Sequence, residues 1–435
     1  MSDVRLRRPD RLQQTFATLA IDDLIPADHP ARDIERVVAG LDLSCFYEAI
    51  RVRAHTAGRS STDPALLITL WLFACIEGVW SARRLAELCQ RDNVYRWITG
   101  GVSVNHRLLS DFRTDHLAAL DGLFTQVLTA LLARGIVSLN RISQDGMKVR
   151  ACAGSSSFRR EPTLAEIQKE AQDHVKQLSE LFADEKKSAA LSARQKAMRQ
   201  RAAKERADRV NEALALVGEL VKQQEESAKN KSKKQREKEN PVRASTSDPQ
   251  AKRMKMSDGG TRPAFNVQLA ADTASRAIVG VFVTSNGTDY GQDLRMRKEI
   301  RERLPDSPIR QHLVDGGYTK IESVNAAQAE GVELFAPPKP PKNKEKFGDE
   351  YQPRPQDSQA MRELRSRMGS EEGKEIFKQR AATSETINAD LRCRRGLREV
   401  TVRGIEKLSC VALFSALAYN LMHFGPVSYT HLRAH

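Results

Sequence analysis

With 435 residues and 40 % apolar content, the chain has enough material for two or three domains and at least one large core, which excludes a wholly disordered protein. Lysine and arginine total 70 against 56 aspartates and glutamates, a net charge of +14 that favours a polyanionic partner such as nucleic acid, a bias shared with ribosomal, membrane-surface and heparin-type binders. Six scattered cysteines (Cys45, Cys75, Cys89, Cys152, Cys393, Cys410) include no Cys-x-x-Cys pair and no histidine at ligand spacing, so a reducing cytosol is expected rather than a zinc module or a disulfide framework.

Residues 1–19 read as an N-terminal tail, and MSDVRLRRPDRLQQTF lacks the apolar core of a secretory signal. Residues 20–135 predict an all-helical domain. Pro64 is placed to start a helix over PALLITLWLFACIEGVW, Gly78 closes it, and Ser81 can cap SARRLAELCQ. After RWITGG one further helix is predicted, from VNHRLLSDFR to Gly135. Helix, short Gly-containing turn and helix is helix-turn-helix grammar. The polar face of the last helix offers His106, Arg107, Ser110 and Arg113, able to reach phosphates and base edges, and a merely solvated face has the same pattern.

From Arg141 the pattern turns to short β-like runs: RISQDGMKVRACA, a hairpin over PAFNVQLAADTASRAIVGVFVT with its turn at Asp272 to Arg276, then IRQHLVDGGY and GVELFAPP. A helix-rich end follows, so residues 136–159 and 259–424 predict a mixed domain and the whole an α+β class. In that end VALFSALAYNLMHF is too short and too interrupted to span a bilayer. Residues 160–258 form an insertion. Leu164, Ile167, Ala171, His174, Leu178 and Leu181, then Val210, Ala213, Val217 and Leu220, predict two helices packed as a coiled-coil hairpin, with His174 a tolerated polar position on the seam. Ten basic residues between Lys229 and Lys255 then read as a solvated linker that adds salt-sensitive phosphate contacts. Residues 425–435, GPVSYTHLRAH, read as an irregular tail.

Two acids stand where burial makes an ionised carboxylate costly without a cation. Asp145 lies in ISQDGMKVRACAG, and Asp315 ends an apolar strand in HLVDGGY, where Gly316 and Gly317 permit close approach of a ligand. A third, Glu385, follows Asp315 by 70 residues inside a predicted helix. Magnesium takes oxygen ligands and keeps several waters, so a few carboxylates with substrate phosphate oxygens complete a site. Two such ions can deprotonate an attacking water or 3′-hydroxyl and stabilise the departing oxygen. The chain has no Gly-x-Ser-x-Gly, no Walker-type loop and no His-Glu-x-x-His. Spacing alone does not separate these acids from Asp121, Asp248, Asp258, Asp272, Asp289 and Asp293.

The phrases ISQDGMKVRACAG, HLVDGGY and FKQRAATSETINADLR, collinear and complete, resemble the three blocks of DDE-type transposases of bacterial insertion sequences, and DLIPADHPARDI, STDPALLITLWLFACIEGVWSARRLAELC and VNHRLLSDFR resemble that family's helical N-terminal domain. The resemblance covers about residues 20 to 424. It implies a ribonuclease-H-like catalytic domain behind a helical DNA-binding domain, with Asp145, Asp315 and Glu385 catalytic and holding two Mg2+ ions, for which Mn2+ can substitute. It also implies double-stranded DNA partners (inverted-repeat ends and target), a homo-oligomer pairing two ends, and a place at the nucleoid in the bacterial cytoplasm. The family's Tyr, Arg, Glu, Lys signature aligns with Phe377, Arg380, Glu385 and Arg392; Phe stands where Tyr is common, and four residues separate Arg380 from Glu385 where three are common. Arg392 lies two helical turns beyond Glu385 and is read with Arg380 as touching DNA, as are Arg394 and Arg395, though basic residues at a helix end also suit its dipole. A catalytically impaired relic acting as a DNA-binding regulator, and a ribonuclease-H-like nuclease acting on RNA–DNA hybrids, are the alternatives that share these residues.

Overall fold

A computed structural model describes residues 20–50, 60–184, 191–228, 241–341 and 348–432. The N-terminal part is helical: α1 (Pro30–Ala39), α2 (Ser44–Glu48), α3 (Pro64–Ile76), α4 (Ala82–Arg91), α5 (Asn93–Thr99), α6 (His106–Thr114) and α7 (Leu117–Ala133). Local chemistry sets these bounds. The Asp63 carboxylate accepts the Ala65 N–H at 2.9 Å, with Pro64 at the first helical position, and the Ser81 hydroxyl accepts the Arg84 N–H at 3.3 Å. Helices α6 and α7 correct the single helix expected through Gly135: they meet at a 69° bend. The break falls at His116, whose φ of −126° and ψ of 43° leave the helical region while its ring packs on Phe46 and Phe112, centroids 5.3 and 4.9 Å away.

The insertion is a helical hairpin, α8 (Glu161–Ala183) and α9 (Ala193–Ala228), closed on a small core of Leu164, Ala213, Val217 and Ala244. His174 is exposed rather than on the seam, because the inward line runs from buried Ala171 to half-buried Val175 and Leu178, four and three residues on. Lys229 to Lys238 lie outside the described residues. The end of the basic run is not a linker: Lys252–Lys255 form a strand of the main sheet, with Met254 buried and Arg253 and Lys255 turned outward. The insertion therefore ends before residue 252.

The sheet contains β1 (Arg141–Arg150), β4 (Lys252–Lys255), β5 (Thr261–Asp272), β6 (Ile278–Thr284), β7 (Gln311–Leu313) and β8 (Glu333–Phe335); a small pair, β2 (Phe158–Arg159) and β3 (Ala244–Ser245), lies apart. β1 is central. It runs antiparallel to β5 from Ile142 opposite Asp272 to Arg150 opposite Ala264, and parallel to β7, which is parallel to β8. β6 and β4 pair with the far edge of β5, and the expected hairpin turn is held by Asp272, whose Oδ2 accepts the Ser275 N–H at 2.9 Å.

Helices α10 (Gln292–Arg303), α11 (Ile321–Ala329), α12 (Gln359–Gly369) and α13 (Glu371–Ala389) cover the sheet, and α14 (Ile405–Leu432) joins it to the N-terminal helices. α14 buries Leu408, Val411, Phe414, Leu417 and Leu421 in one continuous cluster shared with α1, α3, α7 and β6. Its Asn420 is wholly buried: Nδ2 donates to the Ile278 carbonyl at 2.8 Å and Oδ1 accepts the Ile278 N–H at 2.9 Å. Starting at Ile405, this helix has the length and apolarity to cross a membrane, contrary to the shorter run read from Val411, but 72 % of that stretch is buried against the rest of the chain. It also runs on through Gly425 and Pro426 to Leu432, where an irregular tail was expected. A proline deletes one backbone hydrogen bond, and a long preceding helix carries its register past it.

Asp248 tethers the end of the insertion to the start of α14, accepting the Gly404 N–H at 3.2 Å. Burial raises its carboxyl to about 6, with the Gly404 N–H and Arg403 pulling it back down. The folded chain thus holds this proton more tightly than the unfolded one. Its stabilising contribution is full below about pH 4 and is lost as pH rises through 6, by roughly 3 kcal/mol at about 1.4 kcal/mol per pH unit. Asp248→Asn keeps an acceptor for Gly404, so its melting temperature relative to the unmodified protein is expected to climb between pH 4.5 and 8. Parallel melting curves across that range would contradict the assignment.

Candidate active site

Register brings the first two acids together. Ser143 of β1 is level with Leu313 of β7, and two residues further along both chains stand Asp145 and Asp315. The Gly317 N–H donates to Asp315 Oδ1 at 2.6 Å, and the Gly146 N–H donates to Asp145 Oδ1 at 2.9 Å. A third carboxylate, Asp289, arrives from the loop before α10 on the opposite face of β1. Its Oδ1 accepts Asn266 Nδ2 at 2.6 Å and Gln268 Nε2 at 2.7 Å, both from β5. It lies over Gly146, where a Cβ would stand 2.2 Å from that oxygen, so any side chain at this point of β1 must displace it. Burial raises the Asp145 carboxyl to about 6, and the charges of Asp315 and Asp289 raise it further, against Arg380 and the Gly146 N–H. The same three carboxylates, after burial, push the Tyr318 hydroxyl well above its ordinary value; it stays protonated and donates to Gln268 Oε1 at 2.7 Å.

α13 is laid on the other face of β1 by polar contacts. Ser143 Oγ is 2.6 Å from Ser384 Oγ and donates to the Arg380 carbonyl at 3.3 Å, and Asn388 Nδ2 donates to Asp145 Oδ2 at 3.0 Å. Glu385 sits on this helix with its side chain 67 % exposed, Oε1 3.8 Å from Arg380 Nη2. Arg380, half-buried and 5.8 Å from the centre of the Phe377 ring, therefore acts on both Asp145 and Glu385. Among the described residues, no three His, Cys, Asp or Glu side chains stand within common reach of one ion, so Glu385 is linked to Asp145 through Arg380 rather than through a shared ligand sphere. Asp145, Asp289 and Asp315 offer oxygen donors, the kind a hard divalent cation takes, and among the described residues none of the three is ion-paired, but they are not gathered into one ligand set.

Residues 19–115 match a family described as a transposase domain (DUF772), and residues 340–424 match a transposase DDE domain. The chain carries the domains of a DDE-type transposase. No curated protein and no solved structure matches it. The DDE match contains Arg380, Glu385 and Asn388 but not Asp145, Asp289 or Asp315. A transposase DDE domain implies a nucleic-acid-cleaving enzyme, and the transposase family implies DNA substrates.

The chain keeps some of its expected DNA-facing cations at the surface and buries others. His106 and Arg107 are exposed at the start of α6, where Arg107 lies 3.6 Å from Asp111. Arg394 is 83 % exposed. Arg392 reaches Ser257 Oγ at 3.4 Å; the backbone from Asp390 to Arg394 is a π turn, which breaks the two-turn spacing from Glu385. Two expectations are corrected. Arg113 is 4 % exposed, stacked 4.7 Å over the Trp71 ring and donating to the Trp80 carbonyl, and Arg395 is 6 % exposed, donating to Asp390 Oδ2 at 2.6 Å. Neither guanidinium is open to a phosphate: Arg113 packs among the N-terminal helices, and Arg395 is held by Asp390 and lies 5.7 Å from the centre of the Tyr419 ring. Asp289, Asn388, Asn266, Gln268 and Tyr318 were not singled out as site residues by sequence reasoning; only the Tyr of HLVDGGY and the Gly-flanked Asp289 in NGTDYG stood as signals. Gly146→Ala would displace Asp289 and its amide donors. DNA cleavage by this variant is expected to fall roughly 10–100-fold, the scale for disturbing groups that orient a metal site, with its circular dichroism unchanged; a variant as active as the unmodified transposase would rule out the close approach at Gly146.

Proposed function

We propose that this protein is the DNA transposase of a bacterial insertion sequence, binding the terminal inverted repeats of its element and catalysing metal-dependent cleavage and strand transfer. The observation that supports this reading is that Asp145 and Asp315 each stand two residues beyond the paired ends of β1 and β7, with Glu385 linked to Asp145 through Arg380 on the helix that Asn388 and Ser384 fasten to β1. The central β1, flanked by antiparallel β5 and parallel β7, supports a ribonuclease-H-like sheet.

Asp145, Asp315 and Glu385 would hold two Mg2+ ions, or Mn2+ in their place. Bound there, such ions supply Lewis acidity and ease deprotonation of the attacking hydroxyl. The chain's own groups do the rest. Asn388 fixes the Asp145 carboxylate, Arg380 offers positive charge to a phosphate arriving between Asp145 and Glu385, and Gly316 and Gly317 leave room for its approach. Arg392, Arg394, His106 and Arg107 supply salt-sensitive phosphate contacts on either side, and paired element ends call for at least a dimer.

A strand-transfer assay on the element's own ends tests this. Metal-borne charge stabilisation is worth several kcal/mol, so at about 1.4 kcal/mol per tenfold each of Asp145→Asn, Asp315→Asn and Glu385→Gln is expected to lose roughly 100-fold or more. Full activity in any one of them removes that residue from the catalytic set.

A further inference from the structure

Two non-glycine residues among those described hold a positive φ, Leu139 at 54° and Arg276 at 64°. A side chain in that conformation costs free energy that glycine would not. Leu139 is wholly buried, and its packing offsets the strain. Arg276 is exposed at the end of the β5–β6 turn, where its backbone N–H donates to the Asp272 carbonyl at 2.8 Å. The turn itself is best served by glycine or asparagine there, so the reason for an arginine lies in what its guanidinium faces.

It faces a cavity of about 660 Å3 between this turn, the end of α13 and α14, bordered by Arg276, Thr386, Asp390, Arg394, Tyr419 and His423. The balance of charge there is positive. Asp390 is already engaged, Oδ2 with Arg395 at 2.6 Å and Oδ1 with Arg394 at 4.0 Å, while Arg276 has no carboxylate at ion-pair distance among the described residues. Burial, then the charge of Arg395, holds the His423 imidazole below its ordinary value; Asp390 pulls the other way and Arg394 adds to the lowering. A neutral imidazole still offers an N–H donor. The place of the cavity in the fold names the anion. Thr386 adjoins Glu385 on α13, and Asp272 at the base of the turn stands opposite Ile142, three residues before Asp145 on β1. Three residues of strand span about 10 Å, and a DNA strand advances about 3.4 Å per nucleotide.

We propose that this cavity seats the backbone of the bound DNA strand about three nucleotides from the cleaved bond, with Arg276 and Arg394 contacting phosphates and His423 donating beside them. The inference rests on the DNA-transposase reading and adds to it Arg276, which lies outside both matched regions. The full chain is titrated into a fluorescein-labelled duplex of random sequence and its affinity followed by anisotropy from about 50 to 200 mM salt. Arg276→Gly is expected to weaken binding roughly 3–10-fold and to flatten the slope of log affinity against log salt by about one, the loss of one phosphate contact. Its melting temperature is expected to be no lower than that of the unmodified chain, since glycine suits the turn, and Arg276→Lys is expected to restore both affinity and slope. Unchanged affinity and slope in Arg276→Gly, with salt-dependent binding by the unmodified chain, overturns this inference alone, as does a loss that Arg276→Lys fails to restore. A duplex that the unmodified chain does not bind at any of these salt concentrations overturns the DNA reading beneath it. The position is checked with element ends carrying one neutral methylphosphonate: the unmodified chain is expected to be weakened by it about three nucleotides from the cut, and Arg276→Gly to be indifferent to it there. A penalty at that position as large in Arg276→Gly as in the unmodified chain excludes Arg276 as its contact.

Discussion

The constraint on which the site depends is electrostatic: three carboxylates gather around the central strand of a sheet, and the one within that strand, Asp145, is largely withdrawn from water. Like charges at this range raise each other's proton affinity, and burial raises it further. The fold offsets this with a directed set of donors rather than with an ion pair. Backbone N–H groups of Gly146 and Gly317, the amides of Asn388, Asn266 and Gln268, and the half-buried Arg380 each face a carboxylate or act on one. Amides supply partial positive charge without neutralising the acids, which would leave them able to take the cation proposed above while the fold stays tolerable without it.

Such an arrangement works only if the elements carrying the donors cannot drift. α13 is fixed to β1 by the Ser143–Ser384 contact, and its C-terminal end is fixed to the N-terminal helices, since Trp80 Nε1 donates to the Arg395 carbonyl at 2.5 Å. α14 completes the brace, with Asn420 gripping both backbone groups of Ile278 and its apolar residues shared between α3, α7 and β6. The two regions matched as transposase domains therefore share one core. A change in the N-terminal helices reaches α13 through buried side chains rather than through a loose linker, with Trp80 at the contact.

Where one rule dominated, the sequence was legible. Pro64 and Ser81 set helix starts through local hydrogen bonding, and the alternation around Asp272 to Arg276 gave the β5–β6 hairpin. Asp145 and Asp315 stood out as carboxylates beside glycines in apolar strands, but it was the resemblance to DDE transposases that chose them from rival acids, Asp289 among them. Asp289 was not chosen, because its importance comes from lying over Gly146, a cross-strand relation that spacing cannot encode. The failures have the same origin. Arg113 and Arg395 look in sequence like any basic residue near a helix end, and only the positions of Trp71, Trp80 and Asp390 decide that they point inward. His174 and the Lys252–Lys255 strand were misread because heptad spacing and a run of lysines carry no information on which neighbour wins the contact.

The openness of the candidate site suits the DNA substrate proposed for it. A cavity of about 1030 Å3 lies between α7, β6, α10 and α14, lined by Asp121, Phe282, Arg303 and Glu406, and none of the acids around β1 borders it. Enzymes of small molecules bury most of their ligand in such a cavity. A phosphodiester in duplex DNA is presented on the outside of a stiff polymer, so the groups that cleave it must stand at surface level with charge around them. Glu385 and Arg394 are exposed, Asp315 lies at a Gly-Gly turn, and Asp145 is reached between them, an open acidic spot bordered by arginines that suits a polymer laid across it better than a molecule enclosed by it.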